Sequence, residues 1–153
     1  MSIKVGDRLP ETKFRVMTSE GPAWKSTSEF FKGKKAVLFG VPGAFTSTCS
    51  NMHLPGFLQN LDAIKAKGVD TVAVTAVNDM FVMEAWKRAT GADGNAEFAK
   101  ALDLTFDGAA VGLGLRSKRY SMVVEDGMVK RLNIEEAPGK VEVSGGDTLV
   151  KQL

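Results

Sequence analysis

The residue best suited to chemistry in this sequence is Cys49, the chain's only cysteine. A single cysteine forms no intramolecular disulfide and no Cys-x-x-Cys pair, and in a reducing compartment it would be a free thiol. The first residues contain no charged stretch that leads into an apolar run, so we expect the protein in the cytoplasm. Free cysteines are also common in hydrophobic cores, and on this residue alone both interpretations stay open. Its predicted position near the start of a helix favours chemistry, because unpaired N–H groups and the helix dipole stabilise a thiolate there.

Three neighbours of Cys49 have side chains suited to a thiol site. Thr46 can bring a hydroxyl to the sulfur or to an atom bound beside it, and Pro42 starts the loop with a rigid backbone that lacks an N–H. Taken singly, Thr46 is equally a helix cap and Pro42 a strand terminator. His53 follows Cys49 by four residues, but the chain has no second histidine to complete a zinc site and no evident orienting group for a hydrolase. We therefore expect His53 to form a structural hydrogen bond near the site, and we expect no metal.

The loop that carries Cys49 follows a predicted buried strand. The apolar run 36–41 shows no polar alternation, so both of its faces should be covered, as in parallel or mixed sheets. The loop 42–48 comes next, and Cys49 lies just beyond the carboxyl end of this central strand. Ligands bind at that edge of open α/β sheets, which favours a functional role for the thiol.

The other patterns predict a single α/β domain over residues 1–153, with helices on both faces of a mixed sheet. A helix should follow the loop, kinked or divided at Pro55 and ending near residue 67 before Gly68. The further predicted elements are a helix from Ser26 or Thr27 to Phe31, a strand over 69–77, a helix capped by Asn78 or Asp79 with the apolar face Val82, Ala85, Trp86 and Ala89, a short helix with Phe98, Ala101 and Leu102 facing inward, strands over 120–124 and 128–132 joined by an Asp126-Gly127 type I′ turn, and a last helix capped by Asp147.

Composition limits the class of protein. The 153 residues, 44% hydrophobic and 25% charged, have the balance of a globular domain. The net charge is +2, and the two signs interleave, so we expect no nucleic-acid partner; the basic stretch 116–119 is too short for a phosphate-binding surface. No apolar run approaches the roughly 18 residues that a membrane span needs, so we expect no membrane partner.

Two segments of the chain resemble the peroxiredoxin family, in particular its type II or peroxiredoxin-5 class. Residues 41–57, VPGAFTSTCSNMHLPGF, contain the pattern Pro-x-x-x-Thr-x-x-Cys at Pro42, Thr46 and Cys49, and residues 116–133 read RSKRYSMVVEDGMVKRLN. The resemblance extends over nearly the whole chain. It implies a thioredoxin-like fold and an antioxidant thiol peroxidase, an oxidoreductase that reduces hydrogen peroxide and alkyl hydroperoxides without a metal or an organic cofactor.

The resemblance also implies catalytic roles. Cys49 attacks one peroxide oxygen as a thiolate and becomes a sulfenic acid. The donors that stabilise the charge moving onto oxygen are the Thr46 hydroxyl, the Cys49 N–H and a guanidinium that matches Arg119. Arg116 is the second choice for that guanidinium. Without the resemblance, a solvated charge at a strand edge is the preferred interpretation of Arg119.

Supporting roles follow for the loop around Cys49. Pro42 resembles the family residue that shields the thiolate from bulk water. Gly43 and Phe45 are expected to line the substrate pocket, where Phe45 would admit organic peroxides. His53 is expected to support the loop through a hydrogen bond.

Two departures from the family pattern affect these expectations. Class members with two cysteines carry the second near the C-terminus, but residues 140–145 contain none. The enzyme should therefore use an external thiol as its reductant: glutathione with glutaredoxin, or thioredoxin. Around residues 91–95 the chain also lacks a short apolar strand, which should leave a new sheet edge away from the site. A homodimer formed through the loops around the site is expected.

Two rival functions remain at this stage. The first is a peroxide-sensing redox module, in which the sulfenic acid forms a mixed disulfide with a protein partner. The second is a glutathione-dependent transferase or disulfide reductase, which the lack of a Cys-x-x-Cys pair disfavours. An inactive scaffold is disfavoured because Pro42, Thr46, Cys49 and Arg119 are all present.

Overall fold

The fold is built around a mixed four-stranded sheet. The computed structural model describes residues 2–92 and 104–153. In chain order the described elements are β1 (Lys13–Thr18), β2 (Gly21–Ser26), α1 (Thr27–Phe31), β3 (Lys35–Gly40), a π-helical turn (Cys49–His53), α2 (Leu54–Gln59), α3 (Leu61–Ala66), β4 (Thr71–Thr75), α4 (Met80–Thr90), β5 (Thr105–Asp107), a 3₁₀ turn (Ala109–Val111), β6 (Leu115–Ser117), β7 (Tyr120–Glu125), β8 (Met128–Ile134) and α5 (Gly146–Gln152). The sheet order is β4-β3-β7-β8, with β3 parallel to β4 and antiparallel to β7.

The central strand β3 has both faces buried, as its unbroken apolar pattern predicts. Val37 and Phe39 point into one core, together with α2, α3, α4 and α5, and this core contains Cys49. Ala36 and Leu38 point to the opposite face, into a second core with β1 and α1. The predicted thioredoxin-like arrangement, a mixed sheet with helices on both faces, is confirmed.

The helical segment after the loop is divided at a different residue from the one predicted. Pro55 lies in the first turn of α2, directly after the π-helical turn, and His53 and Leu54 before it keep right-handed helical backbone angles. The division falls at Asn60, between α2 and α3, where the backbone leaves the helical region at ψ 4°. The Asn60 side chain donates to the Gly56 carbonyl at 2.8 Å and so closes α2. Gly68 ends this segment, as predicted.

The buried face of α4 also differs from the prediction. Trp86 is buried, as expected, but Ala85 and Ala89 are exposed. The buried residues that accompany Trp86 are Met80 and Met83. The larger methionine side chains fill the space under the sheet, so the helix is rotated toward them and away from the alanines.

Two of the predicted helix starts left a choice between neighbouring residues. Ser26, and not Thr27, caps α1: its hydroxyl accepts the Glu29 N–H, and the Glu29 carboxylate accepts the Ser26 N–H. At α4 the cap is Asp79, whose carboxylate accepts two N–H groups of the first turn. In both helices the side-chain acceptor satisfies donors that would otherwise have no partner.

The predicted cap of the last helix is wrong. Asp147 lies inside the first turn of α5, and Gly145 is the N-cap residue. The Asp147 carboxylate instead accepts a hydrogen bond from the Asn60 side chain at 2.7 Å. A Cβ on Gly146 would lie 2.5 Å from the Gly56 carbonyl oxygen, so the two backbones approach closely. This packing, and not a capping side chain, fixes where α5 begins.

The strands near the chain ends and the loops are only partly predicted. The hairpin of β1 and β2 and the short pair of β5 and β6 were not predicted. The β7–β8 hairpin turns at Asp126 and Gly127, both with positive φ, as a type I′ turn requires. The predicted short helix with Phe98, Ala101 and Leu102, and most of the segment expected to lack an edge strand, lie outside the described residues.

Candidate active site

Cys49 lies at the end of the loop that leaves the central strand. The Val41 N–H, just past β3, donates to the Thr75 carbonyl at 2.9 Å, which holds the start of the loop against β4. Cys49 then opens the π-helical turn, in which the Leu54 N–H donates to the Cys49 carbonyl five residues back. Such turns widen the helix and are frequent at functional sites. Both Cys49 and His53 have exposures of 0%, so the turn directs both side chains inward.

Arg119 brings a guanidinium to the sulfur. It directly precedes β7, the strand that pairs with β3, and only 2% of its surface is exposed. Nη2 donates to Cys49 Sγ at 3.3 Å, Nη1 donates to His53 Nδ1 at 3.0 Å, and Nε donates to the Pro138 carbonyl at 2.9 Å. The alternative of a solvated charge at a strand edge is therefore wrong. The permanent positive charge of Arg119 therefore lies directly against the sulfur.

His53 is a neutral, fully oriented imidazole. A guanidinium can only donate, so Nδ1 must accept from Arg119, and the ring proton sits on Nε2, which donates to the Ser144 carbonyl at 2.9 Å. Burial lowers the pKa of His53 from 6.5 to about 4; the hydrogen bond to Ser144 opposes this shift, and the charge of Arg119 adds to it. The expected structural hydrogen bond near the site is present, and it joins His53 to Arg119.

Thr46 and Pro42 occupy the loop without contacting the sulfur through a hydrogen bond. The half-buried Thr46 hydroxyl donates to the Gly43 carbonyl at 2.7 Å, which closes the loop on itself. Its proton is used there, so in this structure the Thr46 hydroxyl is not the donor that the resemblance implies, and its oxygen is left to accept a hydrogen bond from a ligand. Pro42 is buried beside the site, and Phe45 is 57% exposed with a positive φ of 61°.

The second arginine, Arg116, holds the loop and not the sulfur. Its Nε donates to the Leu113 carbonyl at 2.8 Å, and its Nη1 lies 3.5 Å from the Pro42 carbonyl. A Cβ on Gly43 would lie 2.8 Å from Arg116 Nη1, so a larger residue at this position would displace the end of the Arg116 side chain. The structure therefore assigns the two predicted candidates to different tasks, with Arg119 at the sulfur.

Several residues around the site were missed by sequence reasoning. Asn78 accepts the Ala44 N–H at 2.8 Å, and Trp86 donates to the Ser50 hydroxyl at 2.9 Å, so α4 and the turn before it fix the loop. Glu135 is 7% exposed and faces the 142–144 backbone. A buried glutamate beside the exposed Glu136 gives no signal in sequence, because the two are chemically identical.

Glu135 forms the most heavily bonded carboxylate near the site. One oxygen accepts the N–H groups of Glu142, Val143 and Ser144, each at 2.8 Å, and the Ser144 hydroxyl at 2.8 Å. Burial raises the pKa of Glu135, but the hydrogen bonds from Ser144, Val143 and Glu142 outweigh it, and the net pKa is lowered. The carboxylate is therefore ionised at neutral pH.

The described residues offer no site for a metal ion. Among residues 2–92 and 104–153, no group of three or more His, Cys, Asp and Glu side chains converges. The Cys49–His53 pair does not qualify, because both imidazole nitrogens are already used by Arg119 and Ser144. In the same ranges, no helix is long and apolar enough to cross a membrane.

The fold and the site together define a class of protein. A buried cysteine at the start of a helix, just past the central strand of a thioredoxin-like sheet and with a guanidinium on its sulfur, is typical of thiol-based oxidoreductases.

Comparison with known proteins gives the family. The Redoxin family model matches residues 4–150. Peroxiredoxin-2E-2, chloroplastic, from Oryza sativa subsp. japonica is 42% identical over 165 residues, covering 99% of this chain and 73% of that protein. Reduced Prx3 from Vibrio vulnificus, solved in complex with H2O2, is 46% identical with a TM-score of 0.92 and covers 98% of both chains. Peroxiredoxin 5 from Alvinella pompejana is 29% identical with a TM-score of 0.82, over 97% of this chain and 96% of that one. The chain belongs to the Redoxin family, as a single-cysteine peroxiredoxin of the type II, peroxiredoxin-5-like class, and is a thiol peroxidase.

Proposed function

We propose that Cys49 reduces hydrogen peroxide and alkyl hydroperoxides through a sulfenic acid that an external thiol recycles. The observation that carries this proposal is the 3.3 Å hydrogen bond from Arg119 Nη2 to Cys49 Sγ in a fully buried site. The thiolate attacks the terminal peroxide oxygen, the O–O bond breaks, and the electron pair of that bond leaves on the second oxygen. Sulfur is oxidised by two electrons to the sulfenic acid, and the leaving oxygen takes up a proton to give water or an alcohol.

Arg119 stabilises the negative charge both before and during the reaction. In the ground state it stabilises the thiolate, and in the transition state its N–H groups lie beside the oxygen that gains charge. Because the site is buried, the interaction is stronger than it would be in water. Neutral His53 fixes the guanidinium without adding a second positive charge.

Thr46 and the Cys49 backbone complete the proposed peroxide site. The Thr46 hydroxyl donates its hydrogen bond to the Gly43 carbonyl, so its oxygen can accept a hydrogen bond from the O–H of the peroxide and orient the peroxide. The Cys49 N–H belongs to the first helical turn, where N–H groups lack partners within the helix, and it can donate to the reacting oxygens. Pro42 is buried beside them and supports water exclusion.

The proposed recycling step uses two external thiols. The first attacks the sulfenic sulfur, releases water and leaves a mixed disulfide on Cys49; the second attacks that disulfide and releases Cys49 as a thiolate. Glutathione with glutaredoxin, or thioredoxin, fits this chemistry. Since Cys49 has no exposed surface, the π-helical turn must open locally before a bulky thiol reaches the sulfur. We place the reaction in the cytoplasm, whose reducing conditions keep a lone thiol free.

A homodimer through the loops around the site is supported by exposed apolar side chains. Phe45 is 57% exposed, Phe81 is 63% exposed and Leu115 is 51% exposed. All three flank the catalytic loop, because Asn78 near Phe81 binds Ala44, and Arg116 next to Leu115 contacts Pro42. Such exposed apolar groups are typical of association surfaces. A monomer by light scattering at micromolar concentration would contradict this part of the proposal.

The test of the function is a stopped-flow trace of reduced protein mixed with hydrogen peroxide, followed by Trp fluorescence and by quenched thiol counting. We expect the loss of one thiol per chain, far faster than free cysteine reacts at the same pH. Cys49→Ser is the matched control and should show no reaction. A rate equal to that of free cysteine would contradict the proposal. Fast oxidation followed by a stable mixed disulfide with one protein, without turnover by glutathione, would favour the peroxide-sensing module instead.

A further inference from the structure

One segment, residues 135–144, holds Arg119 at three points. The Glu135 N–H donates to the Arg119 carbonyl at 3.0 Å, and the Pro138 carbonyl accepts from Arg119 Nε at 2.9 Å. The third point is indirect: the Ser144 carbonyl accepts from His53 Nε2, and His53 Nδ1 accepts from Arg119 Nη1. The placement of the guanidinium on the sulfur therefore depends on the conformation of this segment.

The Glu135 carboxylate closes the segment on itself. One of its oxygens accepts three backbone N–H groups, from residues 142 to 144, and the Ser144 hydroxyl. These bonds join the first and last residues of the segment. They also set the orientation of Ser144, whose carbonyl is the partner of the imidazole.

We propose that Glu135 is a positioning residue for peroxide reduction: by closing the 135–144 segment it fixes the Ser144 carbonyl on His53 and, through His53, the Arg119 guanidinium on Cys49. This proposal rests on the proposed reaction of Cys49. Glu135 touches neither sulfur nor peroxide, so its carboxylate acts through the segment that it closes: through Ser144 and His53, and through the Pro138 carbonyl that accepts from Arg119 Nε.

The position of Arg119 depends on which tautomer His53 adopts. While the Ser144 carbonyl accepts the Nε2 proton, the Nδ1 lone pair must face Arg119. If the segment loosens, the carbonyl leaves Nε2, the proton is free to move to Nδ1, and the imidazole then presents a donor to a guanidinium that can only donate. Arg119 loses one of its anchors and moves away from the sulfur.

The experiment compares Glu135→Ala, Glu135→Gln and Ser144→Ala with the wild-type chain. Glu136→Gln is the matched control, because it removes the same charge from the adjacent, exposed position. Three quantities are measured: the ¹⁵N NMR signals of the chain's single histidine, the pH dependence of thiolate formation by ultraviolet absorbance, and the rate of reaction with hydrogen peroxide.

In Glu135→Ala we expect mixed His53 tautomers, thiolate formation at higher pH, and a peroxide rate about 10- to 100-fold lower, the cost of a small displacement of a catalytic group. Glu135→Gln keeps an acceptor oxygen without the charge, so its rate and its thiolate profile should lie between those of Glu135→Ala and the wild type. Ser144→Ala removes one of the four hydrogen bonds and should give a smaller shift in the same direction. Glu136→Gln should match the wild type in all three measurements.

A folded Glu135→Ala variant with wild-type histidine signals, thiolate profile and rate would overturn the proposal. If Glu135→Ala does not fold, Glu135→Gln decides by the same three measurements, and wild-type values there overturn it. If the wild-type chain does not react with peroxide through Cys49, the proposed function is wrong. The histidine signals and the thiolate profile of the Glu135 variants then still show whether Glu135 positions His53 and Arg119.

Discussion

Acidification should destabilise this protein through a single imidazole. His53 is fully buried, with Arg119 Nη1 at 3.0 Å from its Nδ1, the Ser144 carbonyl at 2.9 Å from its Nε2, and the rings of Phe39 and Phe57 packed beside it. Protonation would place a proton on Nδ1, directly against the guanidinium. The folded protein therefore resists protonation of His53, whereas the unfolded chain does not.

The size of the effect follows from the two pKa values of His53. The ordinary value of 6.5 applies to the unfolded chain, and the folded value is about 4. Between these values the unfolded state binds a proton that the folded state excludes, so the free energy of unfolding falls as the pH falls. The contribution is complete above pH 6.5 and is lost toward pH 4, with a total of about 3 kcal/mol.

The assay is urea unfolding at a series of pH values between 7 and 4. His53→Gln is the reference, since it cannot titrate and shares every carboxylate with the wild type. The stability difference between the two proteins should shrink by about 3 kcal/mol over this range. An NMR titration of the same imidazole gives its folded pKa directly.

A stability difference that stays constant from pH 7 to pH 4 would refute this reasoning. So would a folded His53 that titrates near 6.5, because the ring would then be solvated or the guanidinium would lie elsewhere. Either result would also remove the hydrogen-bonded connection on which the placement of Arg119 depends.

Substitutions at four positions test other parts of the structure. Arg119→Ala should lower the rate of reaction with peroxide, measured by stopped flow, by about 100- to 1000-fold. Arg119→Lys should not restore the rate, because one ammonium group cannot reach Cys49, His53 and Pro138 together. A wild-type rate in Arg119→Ala would show that Arg119 takes no part in the reaction. Thr46→Val should fold but react up to about tenfold more slowly, because the peroxide loses the hydrogen bond that the Thr46 oxygen accepts, and wild-type kinetics would reduce Thr46 to a loop residue. Gly146→Ala places a Cβ 2.5 Å from the Gly56 carbonyl oxygen and should lower the free energy of unfolding, measured in urea, by about 1 to 3 kcal/mol. An unchanged urea midpoint would mean that the backbones at Gly56 and Gly146 can move apart at no cost. Tyr120→Phe should be neutral or stabilising by about 1 kcal/mol, because the buried hydroxyl has no partner among the described residues; a clear loss of stability would show that the hydroxyl is bonded.

The catalytic loop could be predicted because its signals are local. An apolar run without polar alternation predicts a buried strand, and Pro42 and the helical spacing after Cys49 mark where the strand ends and the helix begins. Each of these signals depends only on residues that are close together in the sequence. The structure places the thiol where these signals put it, at the carboxyl end of β3.

The helix ends were less predictable because tertiary contacts compete with local propensity. Pro55 is a strong breaker in a helix interior but is harmless in a first turn, and the true break at Asn60 is stabilised by Asp147 from α5. The same contact removes Asp147 from the capping role that its position suggested. The exposed Ala85 shows the same competition, since Met83 fills the core better.

The sequence by itself determined the position of the lone cysteine, its loop, the central strand and the family, because these depend on residue types at short fixed spacings. Only the tertiary structure decided which of two nearby arginines meets the sulfur: antiparallel pairing of β7 with β3 brings Arg119 to the thiol and leaves Arg116 on the loop backbone. It also decided that Glu135 is buried while Glu136 is exposed. Such choices depend on burial and on hydrogen-bond partners from segments far apart in the chain, which no local pattern records.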